Sequence, residues 1–138
     1  ARLLQLTTGE VQRDRLGCAR RLAAATKGVV VLKGAGTVVA SADGTARVTM
    51  AGNPGMATGG TGDVLTGIIG ALLCQGLDPF DAAAVGAHLH GAAGDDAVAV
   101  KGQHGLIASD LIEALPGLMR RFEAWGEDED GPDDPELP

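Results

Sequence analysis

The chain has 138 residues, 45% of them apolar, which is enough for one domain with a modest core and argues against disorder over most of its length. Its aromatic residues are Phe80, Phe122 and Trp125 alone, against 22 glycines, so close backbone approaches are favoured over the stacking platforms that bind single-stranded nucleic acid. The formal charge of -7 resides in Glu127, Asp128, Glu129, Asp130, Asp133, Asp134 and Glu136, while residues 1–126 balance eleven acids against eleven bases. That division predicts a folded unit over 1–126 and an acidic, disordered tail over 127–138.

Cys18 and Cys74 are isolated, with neither CxxC nor Cys/His ligand spacing, so the expectation is two buried, reduced thiols, no disulfide framework and no structural zinc. The apolar stretch from Ile68 to Leu73 is too short to span a bilayer, and the first residues lack a signal-peptide layout. These features predict a soluble, cytoplasmic protein.

Residues 1–5 read as the end of a helix without a start signal, a first hint of an absent upstream part. Thr7 and Glu10 form a capping-box pair, opening a helix with Val11, Leu16, Ala19, Leu22 and Ala23 at roughly helical spacing and an end near Lys27-Gly28. The run Val29-Val30-Val31-Leu32, bounded by Gly28 and Gly34, predicts a strand buried on both faces, a pattern usual in parallel sheets. Thr37–Ala40 and Arg47–Met50 flank Asp43-Gly44, which predicts a tight hairpin and an antiparallel edge.

From Gly59 a glycine-rich turn leads into a helix with Leu65, Ile68, Ile69, Leu72 and Leu73 on one face, ending near Gln75-Gly76. Asp78-Pro79 starts another helix that runs to about Val100. A last helix is expected from Ser109 or Asp110, interrupted around Pro116-Gly117 and fading before the acidic stretch.

The segment Asn53-Pro54-Gly55-Met56-Ala57-Thr58-Gly59-Gly60-Thr61-Gly62-Asp63 carries the clearest chemistry. Its glycines admit an anion close to the backbone, and the N–H groups of the following helix point at that anion. It lacks the Lys-Ser/Thr of a Walker A loop and is not a dinucleotide-binding GxGxxG. A glycine-rich turn capping a buried helix is the competing reading.

Asp63, beside such a loop, suits a general base for a hydroxyl attacking phosphate, or more simply a carboxylate stabilising the helix start. Lys33-Gly34-Ala35-Gly36-Thr37 lies at the carboxyl end of the expected strand, where open α/β sheets place ligands. His88 and His90 point to different faces of a helix and are no metal pair; His90 reads as a packing or hydrogen-bonded histidine. His104 lies in a glycine-rich loop, and Arg120-Arg121 complements a helix end without arguing for nucleic acid.

Together, Lys33–Thr37, the stretch Asn53–Gly67 and His90-Gly91-Ala92-Ala93-Gly94-Asp95 closely resemble the ADP/ATP-dependent NAD(P)H-hydrate dehydratases over roughly residues 1–122. The resemblance implies a ribokinase-like α/β fold: a mainly parallel sheet covered by helices, with an antiparallel edge hairpin, of which this chain is the C-terminal portion. It also implies nucleotide contacts from Lys33, Gly34, Ala35, Gly36 and Thr37 and from Asn53, Thr58, Gly59, Gly60, Thr61 and Gly62. Asp63 is then the catalytic residue at the hydrated substrate, and no metal-ligating side chain is expected.

The implied reaction phosphorylates the ring hydroxyl of hydrated NADH or NADPH with ADP or ATP, accompanied by Mg2+, and then eliminates phosphate. The resemblance further implies an upstream half of the domain, absent here, an epimerase domain in the same protein, and a homo-oligomer; neither nucleic acid nor membrane is an expected partner. Two alternatives remain at this stage: a vitamin or sugar kinase of the same superfamily, and a nucleotide-binding half-domain without catalysis.

Overall fold

A computed structural model describes residues 2–129 of the chain, with side chains over 3–122. The capping box closes as the sequence predicts: the Thr7 N–H donates to Glu10 Oε2 at 2.7 Å, and the Glu10 N–H donates to Thr7 Oγ1 at 3.2 Å. The helix it opens is two helices, α1 (Thr8–Arg13) and α2 (Arg15–Thr26), where the sequence predicts one. Asp14 causes the break, because its carboxylate accepts from the Gly17 N–H at 2.9 Å and so caps α2 from a non-helical backbone. Upstream, Arg2–Leu4 form a single 3-10 turn.

Strands β1 (Val30–Leu32), β2 (Thr37–Ala40) and β3 (Ala46–Thr49) form a three-stranded sheet in that order. Both pairings are antiparallel, with Val31 opposite Val39 and Val38 opposite Val48. The parallel pattern expected from the β-branched run around Val30 is therefore not the pairing that β1 makes with β2. The connection from Leu32 to Thr37 is far too short for the crossover that parallel neighbours require.

The strand buried on both faces is β2, while β1 is only half-buried. The β2–β3 connection is also looser than a two-residue turn. The Ser41 N–H donates to the Thr45 carbonyl at 2.9 Å and the Gly44 N–H to the Ser41 carbonyl at 3.1 Å, with Gly44 taking the left-handed conformation at φ 92°.

Helices cover both faces of the sheet. Ala19 and Ala23 of α2 pack on Val38 and Ala40, while Val39 points the other way, onto Leu65 of α3 (Thr61–Cys74) and Ala83 and Ala87 of α4 (Pro79–Lys101). Small residues dominate these contacts, which lets helix and strand backbones approach closely. Helix α4 starts as the sequence predicts, with Asp78 accepting from the Phe80 N–H at 2.9 Å and Pro79 at the first position.

Helix α5 (Ala108–Glu129) closes the fold over α4, with Leu111 and Leu118 in one apolar cluster with Leu72, Leu89, Ala93 and Ala97. The interruption expected at Pro116-Gly117 does not occur. Buried Leu111 and Leu118 hold the helix against α4 on either side of exposed Pro116, so packing offsets the lost backbone hydrogen bond. Glu127, Asp128 and Glu129 are helical, and the rest of the expected acidic tail lies outside the described residues. Cys18 is buried as expected; Cys74, at the end of α3, is exposed, because it falls off the face that carries Leu65, Ile68 and Leu72.

Candidate functional site

The loop after β1 and the N-terminus of α3 meet at one hydrogen bond. The Lys33 ammonium, at the carboxyl end of β1, donates to Thr61 Oγ1 at 2.8 Å. Thr61 is the first residue of α3 and is 2% exposed. Its hydroxyl lies 3.1 Å from the Met56 carbonyl and 3.2 Å from the Thr58 carbonyl, either of which can take its proton. Thr61 thereby ties the glycine-rich turn to β1.

The turn itself owes its shape to Gly60, which precedes α3 with φ 86° and gives the helix no side-chain cap. Among the described residues, the start of α3 is thus uncapped by its own N-cap side chain, and the N–H groups of its first turn are oriented for an anion.

The Lys33–Thr37 loop is held from below. Arg15 of α2 donates from Nη2 to the Leu32 carbonyl at 2.9 Å and to the Gly36 carbonyl at 3.4 Å, so one guanidinium grips both ends of the loop. Gly34 lies over that guanidinium, and a Cβ there would come within 3.0 Å of Arg15 Nη2. The Thr37 hydroxyl donates to the Gly34 carbonyl at 3.0 Å and closes the loop from its far side.

Lys33, Gly34, Ala35, Gly36 and Thr37 line a cavity of about 710 Å³. Asn53, Thr58 and Thr61 line the same cavity from its other side, with His90 and Gly91 on its α4 wall. The remaining candidates lie at the start of α3: Gly59, Gly60 and Asp63 are exposed and Gly62 is half-buried. A second cavity, of about 680 Å³, lies among β3, α4 and α5, and none of the candidate residues lines it. The two loops singled out in the sequence therefore share one cavity, and Asp63 stands beside it.

The electrostatics couple these residues. Burial lowers the Lys33 pKa from its ordinary 10.5, and the nearby Asp63 carboxylate opposes that shift. His90 is buried, and its Nε2 lies 2.7 Å from the Thr61 carbonyl. A carbonyl only accepts, so Nε2 carries the proton. Burial lowers the His90 pKa from 6.5, the hydrogen bond to Thr61 opposes this, and the positive charge of Lys33 adds to the lowering. His88 instead sits edge-on to Phe122 with ring centroids 6.2 Å apart, and His104 is exposed outside the cavity lining.

Sequence reasoning did not assign roles to Arg15 or Asp95. The Asp95 carboxylate accepts from the Gly52 N–H and from Asn53 Nδ2, both at 2.9 Å. A signal for Asp95 was present in the spacing of His90, Gly91, Gly94 and Asp95, which share a face of α4. Arg15 had none, since its partners in the Lys33–Thr37 loop and at the end of β1 are backbone carbonyls. Among the described residues no group of three or more His, Cys, Asp or Glu side chains gathers to hold a metal ion, and no helix is long and apolar enough to cross a membrane.

Comparison with known proteins shows the family of the chain. The model of the NAD(P)H-hydrate dehydratase family matches residues 1–117, and the chain belongs to that family. It is 52% identical over 123 residues to the bifunctional NAD(P)H-hydrate repair enzyme of Moorella thermoacetica, an alignment that covers 89% of this chain and 23% of the relative. It is 48% identical over 123 residues to the ADP-dependent (S)-NAD(P)H-hydrate dehydratase of Neisseria meningitidis, covering 88% of this chain and 42% of that protein.

The crystal structure of the ADP/ATP-dependent NAD(P)H-hydrate dehydratase of Bacillus subtilis, co-crystallised with ATP/Mg2+, superposes with a TM-score of 0.79 at 39% identity, over 83% of this chain and 41% of that one. The α/β arrangement described above is thus part of that larger ribokinase-like fold. The chain spans less than half the length of each of these relatives.

Proposed function

We propose that this chain supplies the nucleotide-binding part, residues 1–126, of an ADP- or ATP-dependent dehydratase that restores hydrated NADH or NADPH to the reduced cofactor. The observation that carries the reading is the Lys33–Thr61 hydrogen bond, which joins a strand-end loop and a glycine-opened helix start around one cavity. Lys33, Gly34, Ala35, Gly36 and Thr37 form one wall for the nucleotide, with Asn53 and Thr58 opposite. Gly59, Gly60, Thr61 and Gly62 present backbone N–H groups to its phosphates.

Asp63 takes the proton of the substrate's ring hydroxyl as that oxygen attacks the terminal phosphorus of the nucleotide, whose phosphoanhydride bond breaks to release AMP from ADP or ADP from ATP. The ring nitrogen's electron pair then expels phosphate, and the iminium ring so formed loses a proton from the neighbouring carbon to the departing phosphate or to water, which restores the dihydronicotinamide. The Lys33 ammonium offsets the negative charge that gathers on the transferring group.

Mg2+ fits this site as a companion of the nucleotide. With no cluster of ligating side chains among the described residues, it would be held by the phosphates and water, and Asp63 is the acidic side chain at that end of α3. An upstream segment completing the sheet and the substrate pocket, an epimerase domain in the same protein, a homo-oligomeric assembly and a cytoplasmic location belong to the same reading.

The test is conversion of hydrated NADH to NADH by the complete protein with ADP or ATP, followed by absorbance of the reduced nicotinamide. Phosphorylation of a stable vitamin or sugar alcohol without that conversion would show a kinase instead. Nucleotide binding without either reaction would show a module without catalysis.

A further inference from the structure

The motif His90-Gly91-Ala92-Ala93-Gly94-Asp95 has no phosphate-binding role of its own in the function proposed above, yet it contacts the segment Ala51–Thr61 at several points. His90, Gly91, Gly94 and Asp95 fall within an arc of about 140° on α4, and each meets a different part of that segment. His90 donates to the Thr61 carbonyl at 2.7 Å. Gly91 lies so close to Ala51 that a Cβ would come within 2.6 Å of its backbone carbonyl. Gly94 leaves space filled by the Met56 side chain, and its carbonyl accepts from Asn53 Nδ2 at 2.9 Å.

Asp95 receives the Gly52 N–H and a second bond from the Asn53 amide, and Asn53 Oδ1 in turn accepts from the Gly55 N–H at 3.0 Å. Between β3 and α3 the backbone has no strand ladder to place it, having only the short 3-10 turn Pro54–Met56. Its position therefore rests on bonds from α4 together with the Lys33–Thr61 bond.

We propose that His90 and Asp95 are positioning residues for the nucleotide site: His90 fixes Thr61, and through its hydroxyl the Lys33 ammonium, while Asp95 fixes Asn53. The nucleotide part of this inference rests on the function proposed above; the clamp itself rests only on the geometry. Two small residues and two hydrogen-bonding ones on one helical face thus act as a template for a loop whose own sequence is too glycine-rich to hold a single shape.

The test uses the complete protein with His90→Leu, His90→Gln and Asp95→Asn. Leucine fills the buried site but donates nothing, whereas glutamine offers an amide N–H at similar reach. Hydrogen exchange is measured over residues 52–62 and over 37–40 of β2, alongside titration with ADP and, for the wild type, with ATP. In His90→Leu, exchange over 52–62 should quicken and ADP affinity should fall, each by about tenfold, the weight of one net hydrogen bond. Exchange in β2 should stay as in the wild type.

His90→Gln should recover both properties to within about threefold. Asp95→Asn should quicken exchange over 52–55 and weaken ADP. Equal behaviour of the leucine and glutamine variants overturns the proposal, as does loosening that spreads equally to β2, which marks a general loss of packing. Faster exchange with unchanged ADP affinity overturns the nucleotide role of the clamp. Failure of the wild type to bind either ADP or ATP overturns the proposed function and with it that nucleotide role, while the exchange data still decide whether the clamp exists.

Discussion

The Lys33 ammonium reaches the Thr61 hydroxyl across 2.8 Å although 28 positions separate the two residues in the chain. Because Thr61 is 2% exposed and its hydroxyl also serves the Met56 or Thr58 carbonyl, replacing it leaves buried polar groups without partners. Thr61→Val, which keeps the shape, should cost about 1–3 kcal/mol of stability. It should also weaken ADP binding, since Lys33 loses the contact that aims it. Thr61→Ser should retain most of both. Thermal unfolding and calorimetric titration of the two variants check this, and a valine variant matching the serine one in ADP affinity would show that Lys33 needs no anchor.

Gly60 and Gly62 differ in what they demand. Gly60 has φ 86°, and a Cβ there would come within 3.0 Å of the Ala108 Cβ; a Cβ at Gly62 would lie 3.9 Å from Lys33 Nζ, an ordinary contact inside a helix. Gly60→Ala should therefore cost about 1–2 kcal/mol through backbone strain, whereas Gly62→Ala should leave stability unchanged or raise it by up to about 1 kcal/mol. Both should lower ADP affinity if the phosphates approach this turn. Melting temperatures read the first contrast, and a larger loss in Gly62→Ala than in Gly60→Ala would refute it.

These contrasts mark what the sequence could and could not reveal. Caps and turns use local chemistry, so the Thr7–Glu10 box, the Asp78-Pro79 start and the hairpin around Gly44 are legible from a few neighbouring residues. The break at Asp14 depends on a side chain choosing between continuing a helix and capping the next one, and either outcome fits the same letters. The apolar run of β1 reports burial, not pairing; the length of the loop after it is the better guide to its antiparallel pairing with β2.

Within the candidate site, Lys33 and the glycine-rich turn stood out because lysine and glycine have few reasons to occur at those places. That they share a hydrogen bond is a tertiary fact. Asp95 shows the same limit more sharply, since its partners Gly52 and Asn53 lie 43 and 42 positions away on an irregular segment whose path no periodicity encodes.

His90 should give the protein a pH dependence of its own. Its pKa is lowered from 6.5 in the folded chain, by burial first and by the Lys33 charge second, against the hydrogen bond to Thr61. Below 6.5 the unfolded chain takes up a proton that the folded chain resists, so the unfolded state binds more protons and stability falls with falling pH through that window. Above 6.5 this contribution is constant. Glu10 and Asp110 have lowered pKa values too, but they act below their unfolded values of 4.5 and 3.8. Denaturant unfolding between about pH 5 and 6.5 should thus show a slope that His90→Gln removes. An equal slope in the variant would assign it to another group.

Asp63 decides whether the site performs chemistry or only binds. It is exposed in the first turn of α3, close enough for its charge to act on the Lys33 ammonium. Two roles are compatible with that place: a base at the attacking hydroxyl, or a carboxylate complementing the helix dipole. Asp63→Asn preserves size and hydrogen bonding while removing the charge and the proton acceptor. A dipole role alone predicts a stability loss of about 0.3–1 kcal/mol with turnover largely intact.

A base predicts that turnover in the complete protein falls by about 10²–10⁴-fold, with ADP affinity kept or raised as repulsion from phosphate disappears. The rise in affinity should be modest, because the same substitution frees Lys33 from its acidic neighbour and so slightly weakens the ammonium form that meets phosphate. Melting temperature, ADP affinity and turnover measured on the one variant separate these cases. Turnover within a few-fold of the wild type would remove Asp63 from the mechanism and leave the Lys33–Thr61 junction as a binding site whose base lies elsewhere.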